Sequence, residues 1–180
     1  MPTRIPYRDE DDAEIRELVE KIRARRRGNK LINLDRLLIH SPPFANGWNV
    51  LLGAVRRDLE VDPQIRELAI CAVAKLNDAP YEWVQHAREY LAAGGPQEKL
   101  DALADVEAAA GDAARFDERE RAALQLTIES TRQVKVSEAT FREARKQFGD
   151  RQLVELVGTI GAYNMVSRFL EAFGIDEKGE

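Results

Sequence analysis

The sequence has 180 residues, the length of one ordinary domain and enough to bury a core without disulfides or metals. Apolar residues make up 44% and charged residues 33%, with 11 glycines and 7 prolines, which excludes a disordered, collagen-like or low-complexity chain. A net charge of -5, from 27 basic and 32 acidic residues, argues against sequence-independent binding to nucleic acid or to an anionic membrane, so a small-molecule substrate and protein partners are expected.

Cys71 is the single cysteine and His40 and His86 are the two histidines, too few for an intrachain disulfide or a Cys/His metal cluster. Neither a metal nor a cofactor is expected. The first fifteen residues lack the apolar core of a signal peptide. The longest stretch without formal charge, Leu37 to Val55, holds Ser41, Pro42, Pro43, Asn46 and Asn49, so it does not read as a membrane span. The expected location is the cytoplasm.

No run shows the period-two alternation of a strand, and helix punctuation recurs along the chain, which predicts a single all-α domain. The first helix, about 9–27, opens in Asp9, Glu10, Asp11 and Asp12 and closes in Arg23, Arg25, Arg26 and Arg27 before Gly28, charges that complement its dipole. The arginines read as a solvated helix end. A short helix from Asn33 to Ile39 stops at Pro42-Pro43, and a second carries Phe44, Trp48, Leu51, Leu52 and Val55 at helical spacing. Asp62-Pro63 is an N-cap and first-turn proline opening a helix that is wholly apolar from Leu68 to Ala74, closed by Asn77 and Asp78. Ala79 to Ala93 follows and is stopped by Gly94-Gly95-Pro96, completing a central helical hairpin. Further helices are predicted at Gln97–Ala110, from about Asp117 to about Thr131, from Ser137 to Gly149 with Phe141, Ala144 and Phe148 on its apolar side, and from Asp150 to about Phe173. In the last, Gly158 and Gly161 read as permitting close helix approach; a polar end, 176–180, follows.

Glu67, Glu82 and His86 lie in or beside the apolar hairpin, where an ionisable group has to be paired, protonated or functional. Glu82 and His86 share a helix face four residues apart, as do Glu67 and Cys71 on the preceding helix. An antiparallel hairpin would bring an acid, a base and a thiol around one small cavity, with Tyr81, Trp83 and Tyr90 as aromatic walls and Arg66 or Arg88 as anchors for a carboxylate. The plainer alternatives are a surface Glu82–His86 pair, a Glu67–Arg66 or Glu67–Arg88 ion pair, and Cys71 as ordinary core, since no flanking cation lowers its pKa. His40, before Ser41-Pro42-Pro43, reads as bonded to nearby carbonyls at a helix end.

At this hairpin the sequence resembles the carboxymuconolactone decarboxylase family, the all-α group that includes the AhpD alkylhydroperoxidases. The residues that carry the likeness are Arg66-Glu67-Leu68-Ala69-Ile70, Tyr81-Glu82-Trp83, His86 and Ala93-Gly94. Leu38-Ile39-His40-Ser41-Pro42, Gly47-Trp48-Asn49 and Ala162-Tyr163-Asn164-Met165 with Arg168 extend it to about 31–175, leaving the 9–27 helix as an extension. In the redox branch the pattern is Glu, eleven residues, Cys, two residues, Cys, three residues, His. Counted from Glu67, those thiols fall at Ala79 and Glu82 and the histidine at His86: the outer acid and base match and both thiols are missing.

The resemblance implies a compact helical protomer assembled as a trimer or hexamer, with its pocket near a subunit contact. It also implies either lactone decarboxylation or thiol-dependent peroxide reduction. The second needs an attacking thiolate and a resolving thiol, which this chain lacks. The expected function is acid/base chemistry on a small organic acid, with Glu67, His86 and Glu82 catalytic and Tyr81, Trp83, Cys71 and Arg66 lining the substrate site. The alternatives are a peroxidase-like antioxidant using Cys71 with an external thiol and a non-catalytic ligand-binding oligomer.

Overall fold

The computed structural model describes residues 3–176, which form ten α-helices, with no strand among them. Of the polar end read at 176–180, residues 177–180 lie outside the described residues. Contacts divide the chain into two compact units, 1–58 with 170–180, and 59–169.

The first unit contains α1 (Arg16–Arg25), α2 (Asn33–Leu38) and α3 (Pro42–Arg57). Asp12 caps a 3-10 turn at Ala13–Ile15, so the first helix begins later than its acidic residues suggested. Its basic end is not the solvated terminus the charge pattern predicted. Arg26 donates through Nε and Nη2 to the two oxygens of Asp35, both at 2.7 Å, and Arg25 lies 3.6 Å from the same carboxylate. All three side chains are buried. A buried aspartate left without these cations would carry an uncompensated charge, so the arginines are drawn inward. Asn33 is the first residue of α2 and its amide donates to the Asp176 carbonyl at 3.2 Å. Pro42 and Pro43 open α3, and Trp48, Leu52 and Val55 are buried while Phe44 and Leu51 are exposed. His40 Nε2 donates to the Pro6 carbonyl at 2.8 Å, a partner 34 residues away and not the neighbouring helix end.

The second unit is built on the expected hairpin. Asp62 caps α4 (Pro63–Leu76) through the Gln64 and Ile65 N–H groups, and Pro63 takes the first turn where no N–H is needed. The chain turns at Asp78, at φ 51, into α5 (Pro80–Ala92). Every residue of α4 from Glu67 to Ala74 is buried, as its unbroken apolar run implied. The segment read as one helix over 97–110 is two, α6 (Gln97–Ala102) and α7 (Val106–Gly111). At the break, Leu103 and Ala104 take tight three-residue hydrogen bonds and Asp105 starts a new helix by accepting from Ala108 N–H at 2.9 Å. The unit continues through α8 (Glu118–Gln133), opened by an Asp117/Glu120 capping box, and α9 (Glu138–Gln147). The last helix, α10 (Asp150–Phe173), contributes its length up to Phe169 here. Gly158 and Gly161 do not serve close packing within the chain, because a Cβ on either would meet nothing within 4 Å.

Candidate functional site

Glu67 on α4 and His86 on α5 are brought together by the hairpin. His86 Nδ1 donates to Glu67 Oε2 at 2.7 Å, and Arg66 Nε donates to Glu67 Oε1 at 3.1 Å. Glu67 is 3% exposed and His86 4%, so this is a buried charge-assisted contact. Burial alone would raise the Glu67 pKa. The His86 hydrogen bond and charge, with the charge and hydrogen bond of Arg66, outweigh it and hold the carboxyl below its ordinary value. Glu67 is therefore an anion at neutral pH.

Glu82 is also on α5, one turn before His86, and is 1% exposed. Its Oε2 lies 3.0 Å from Ser167 Oγ on α10. From the same helix, one turn earlier, Tyr163 sets its ring edge-on to the His86 imidazole, with centroids 4.7 Å apart and planes at 81°. Ser167 lies against Glu82 and Tyr163 against His86, and the sequence reading assigned neither to the site. Their signal was a hydroxyl at 163 and another at 167 on one face of a mostly apolar helix, groups that need partners when buried. Nearby, Asn164 accepts from Asn77 and Arg168 through its Oδ1 and donates to Thr131, tying α10 to the end of α4 and to α8.

Cys71 is fully buried in a cluster with Leu68, Ala72, Leu76 and Tyr90. Burial first, then the proximity of the Glu67 and Glu82 carboxyl groups, pushes its thiol far above the ordinary range. It is a protonated core thiol, not a thiolate. Tyr81 is buried at the start of α5. Trp83 is half-buried against the same cluster with the Lys75 ammonium 3.9 Å over its ring. Arg66 is mostly buried and engaged with Glu67, whereas Arg88 is exposed. Among the described residues no group of three or more His, Cys, Asp and Glu side chains gathers as a metal centre requires, and no helix is long and apolar enough to cross a membrane.

The Carboxymuconolactone decarboxylase family model matches residues 42–129, from the start of α3 into α8, and takes in the Glu67, Glu82 and His86 hairpin. Over these residues the chain is similar to the carboxymuconolactone decarboxylase family, the group that includes the AhpD-like proteins. No curated protein matches the sequence. Among solved structures, a peroxidase-related protein from Silicibacter sp. TM1040 superposes with a TM-score of 0.80 at 19% identity, covering 99% of this chain and 93% of that one. A peroxidase-related protein with an AhpD core from Ralstonia eutropha JMP134 gives a TM-score of 0.81 at 18% identity, over 99% and 94% of the two chains. The debrominase Bmp8, as a cysteine-to-alanine variant in complex with 2,3,4-tribromopyrrole, gives 0.74 at 15% identity, over 97% and 90%. At these identities the likeness establishes the AhpD-like all-α fold. The two positions at which the resemblance to the redox branch would place thiols are Ala79 and Glu82 in this chain.

Proposed function

We propose that the protein is an acid/base catalyst of the carboxymuconolactone decarboxylase type, acting on a small carboxylated or lactone-containing compound. The observation that carries this is the buried 2.7 Å contact between His86 Nδ1 and Glu67 Oε2. A carboxylate accepting from Nδ1 fixes the imidazole tautomer with its lone pair on Nε2 and stabilises the imidazolium that forms when Nε2 takes a proton. His86 is then the base for a carbon acid beside a carbonyl, and the same ring returns the proton in the second half of the reaction. Tyr81 and Trp83 supply apolar walls and Arg66 holds the Glu67 charge in place. No thiol is required.

Catalytic proton transfer contributes about 10²- to 10⁴-fold in rate. A screen of lactones, carboxylated aromatics and halogenated pyrroles, the last being the ligand class of the debrominase complex, is expected to yield a turned-over compound. His86→Ala and Glu67→Gln should each lower kcat on it by that order with the helical circular dichroism unchanged. Full activity in both variants would place the chemistry elsewhere, and binding without turnover would favour a ligand-binding role.

Peroxide reduction is the competing reading, motivated by the peroxidase-related neighbours. It requires a thiolate, and Cys71 is buried and held protonated. Peroxide consumption with a dithiol donor is therefore expected to stay at the background rate. Consumption above background that Cys71→Ser abolishes would overturn the acid/base proposal.

A further inference from the structure

We propose that the groove between α8 and α9 is a binding site for a small organic oxyanion, held by the guanidinium groups of Arg121 and Arg142. It is built on other helices than the Glu67–His86 pair and does not depend on the catalytic reading of that pair. Helix spacing makes the groove. On α8, Glu118, Arg121, Ala122 and Gln125 fall on one stripe at i, i+3, i+4 and i+7. On α9, Ala139, Arg142, Glu143 and Lys146 repeat the same spacing. Two packed helices ordinarily place their apolar seam at such positions. Here six of the eight are charged or polar and the other two are alanines, too small to fill the space. What remains between the helices is a groove of about 530 Å³, a size that suits a small molecule.

The charges inside the groove do not cancel. Lys146 Nζ donates to both oxygens of Glu143, at 2.7 and 2.8 Å, and the Gln147 amide donates to Glu118 Oε2 at 3.4 Å. Neither Arg121 nor Arg142 makes a side-chain hydrogen bond or an ion pair with any described residue. Beyond the Lys146–Glu143 pair, two guanidinium groups stand against the single carboxylate of Glu118, an excess of one positive charge. Arg142 is exposed and water satisfies it. Arg121 differs: it is half-buried, and its Nε is closed off from solvent with no acceptor. A donor in that position has given up the hydrogen bond that water supplied in the unfolded chain. An oxyanion in the groove restores it after a small turn of the side chain. A guanidinium offers its donors as a planar fork that matches two oxygens of a carboxylate or a phosphate, and forks from two helices grip such a group from both sides.

The walls are fixed before a ligand arrives. Glu129 on α8 accepts from Thr140 Oγ1 at 2.5 Å and from the Ser137 N–H at 2.7 Å, which pins the start of α9 to α8, and the Gln147–Glu118 contact spans the other end. Binding then has only the two arginine side chains to order. The volume leaves room for an organic body beside the oxyanion, against the methyl groups of Ala122 and Ala139.

Arginine side-chain NMR signals of the full chain, followed as benzoate, phenyl phosphate or inorganic phosphate is added at constant ionic strength, test the site. The Arg121 and Arg142 signals, assigned by their loss in Arg121→Gln and Arg142→Gln, are expected to shift saturably with at least one of these anions and to stay in place with chloride. Arg142→Gln should weaken the binding seen at Arg121 about tenfold or more, as the loss of a contact to a charged group does. Arg145→Gln removes a cation of the same helix that does not line this groove, and should leave the binding unchanged. Saturation by benzoate alone identifies a carboxylate ligand and saturation by the phosphates alone a phosphate ligand, and either supports the site. No saturable shift with any of the three overturns it, as does wild-type affinity in Arg142→Gln. Arg142 is exposed, so that variant carries the test should Arg121→Gln fail to fold. The readout needs no turnover, so its failure is separate from that of the catalytic reading, which is decided by kcat in His86→Ala.

Discussion

Glu67 is a carboxylate placed where burial opposes its charge, and its two partners decide the outcome. Its folded pKa is depressed, so it contributes stability that is present above the unfolded value of about 4.3 and is lost as pH falls through the folded value. The stability gap between wild type and Glu67→Gln, measured by urea denaturation, should therefore be largest near neutral pH and narrow as the pH drops below about 4.3. A gap that does not change with pH would mean that Glu67 is uncharged in the folded protein. The neighbouring Cys71 shows the same physics with the other sign: burial, helped by the Glu67 and Glu82 carboxyl groups, outweighs the charge of Lys75 and keeps the thiol protonated.

At the level of the helices, the turn after α5 is the most constrained point of the hairpin. Gly94 has φ 88, and a Cβ built on Gly95 would stand 2.2 Å from the ring of Tyr90, which is fully buried and cannot swing away. Gly95→Ala should cost about 1–3 kcal/mol, read as a lowered urea midpoint with an unchanged slope. An unchanged midpoint would mean that Tyr90 is free to move. The hairpin was legible in the sequence because Asp62-Pro63, Asn77-Asp78 and Gly94-Gly95-Pro96 act through local backbone chemistry, and the Glu67 to His86 spacing follows from it. The α6/α7 break was not, because Asp105 in an alanine-rich stretch is a helix residue by pattern and a cap only when the preceding turn tightens. Nor was the inward turn of Arg25 and Arg26, since nothing local marks Asp35 as buried. Ser167 and Tyr163 are about eighty residues from the groups they meet, a distance that only packing closes.

On the scale of the whole molecule, the outer face of α10 raises the question of assembly. Val154 is 74% exposed, and Val157, Gly158 and Gly161 continue its stripe with no charged residue between Glu155 and Arg168. Phe141, Leu153, Val154, Val157 and Gly158 border a groove of about 620 Å³, rimmed by the exposed Arg145–Asp150 pair at 2.7 Å. In a chain that is one-third charged, an uncharged helical face of this length is unusual for open solvent. We propose that a second copy of the chain covers it. The rim carries both signs, Arg145 beside Asp150, so a symmetric contact can set each against its opposite on a partner. The open Gly158 and Gly161 then serve approach between protomers. Light scattering at micromolar concentration is expected to give a multiple of the 20.3 kDa protomer mass, and Val154→Glu should reduce it to a single protomer by burying a charge without a partner. A wild-type protein that is monomeric at that concentration, or a Val154→Glu variant that keeps the wild-type mass, would show that this face is not where copies of the chain meet.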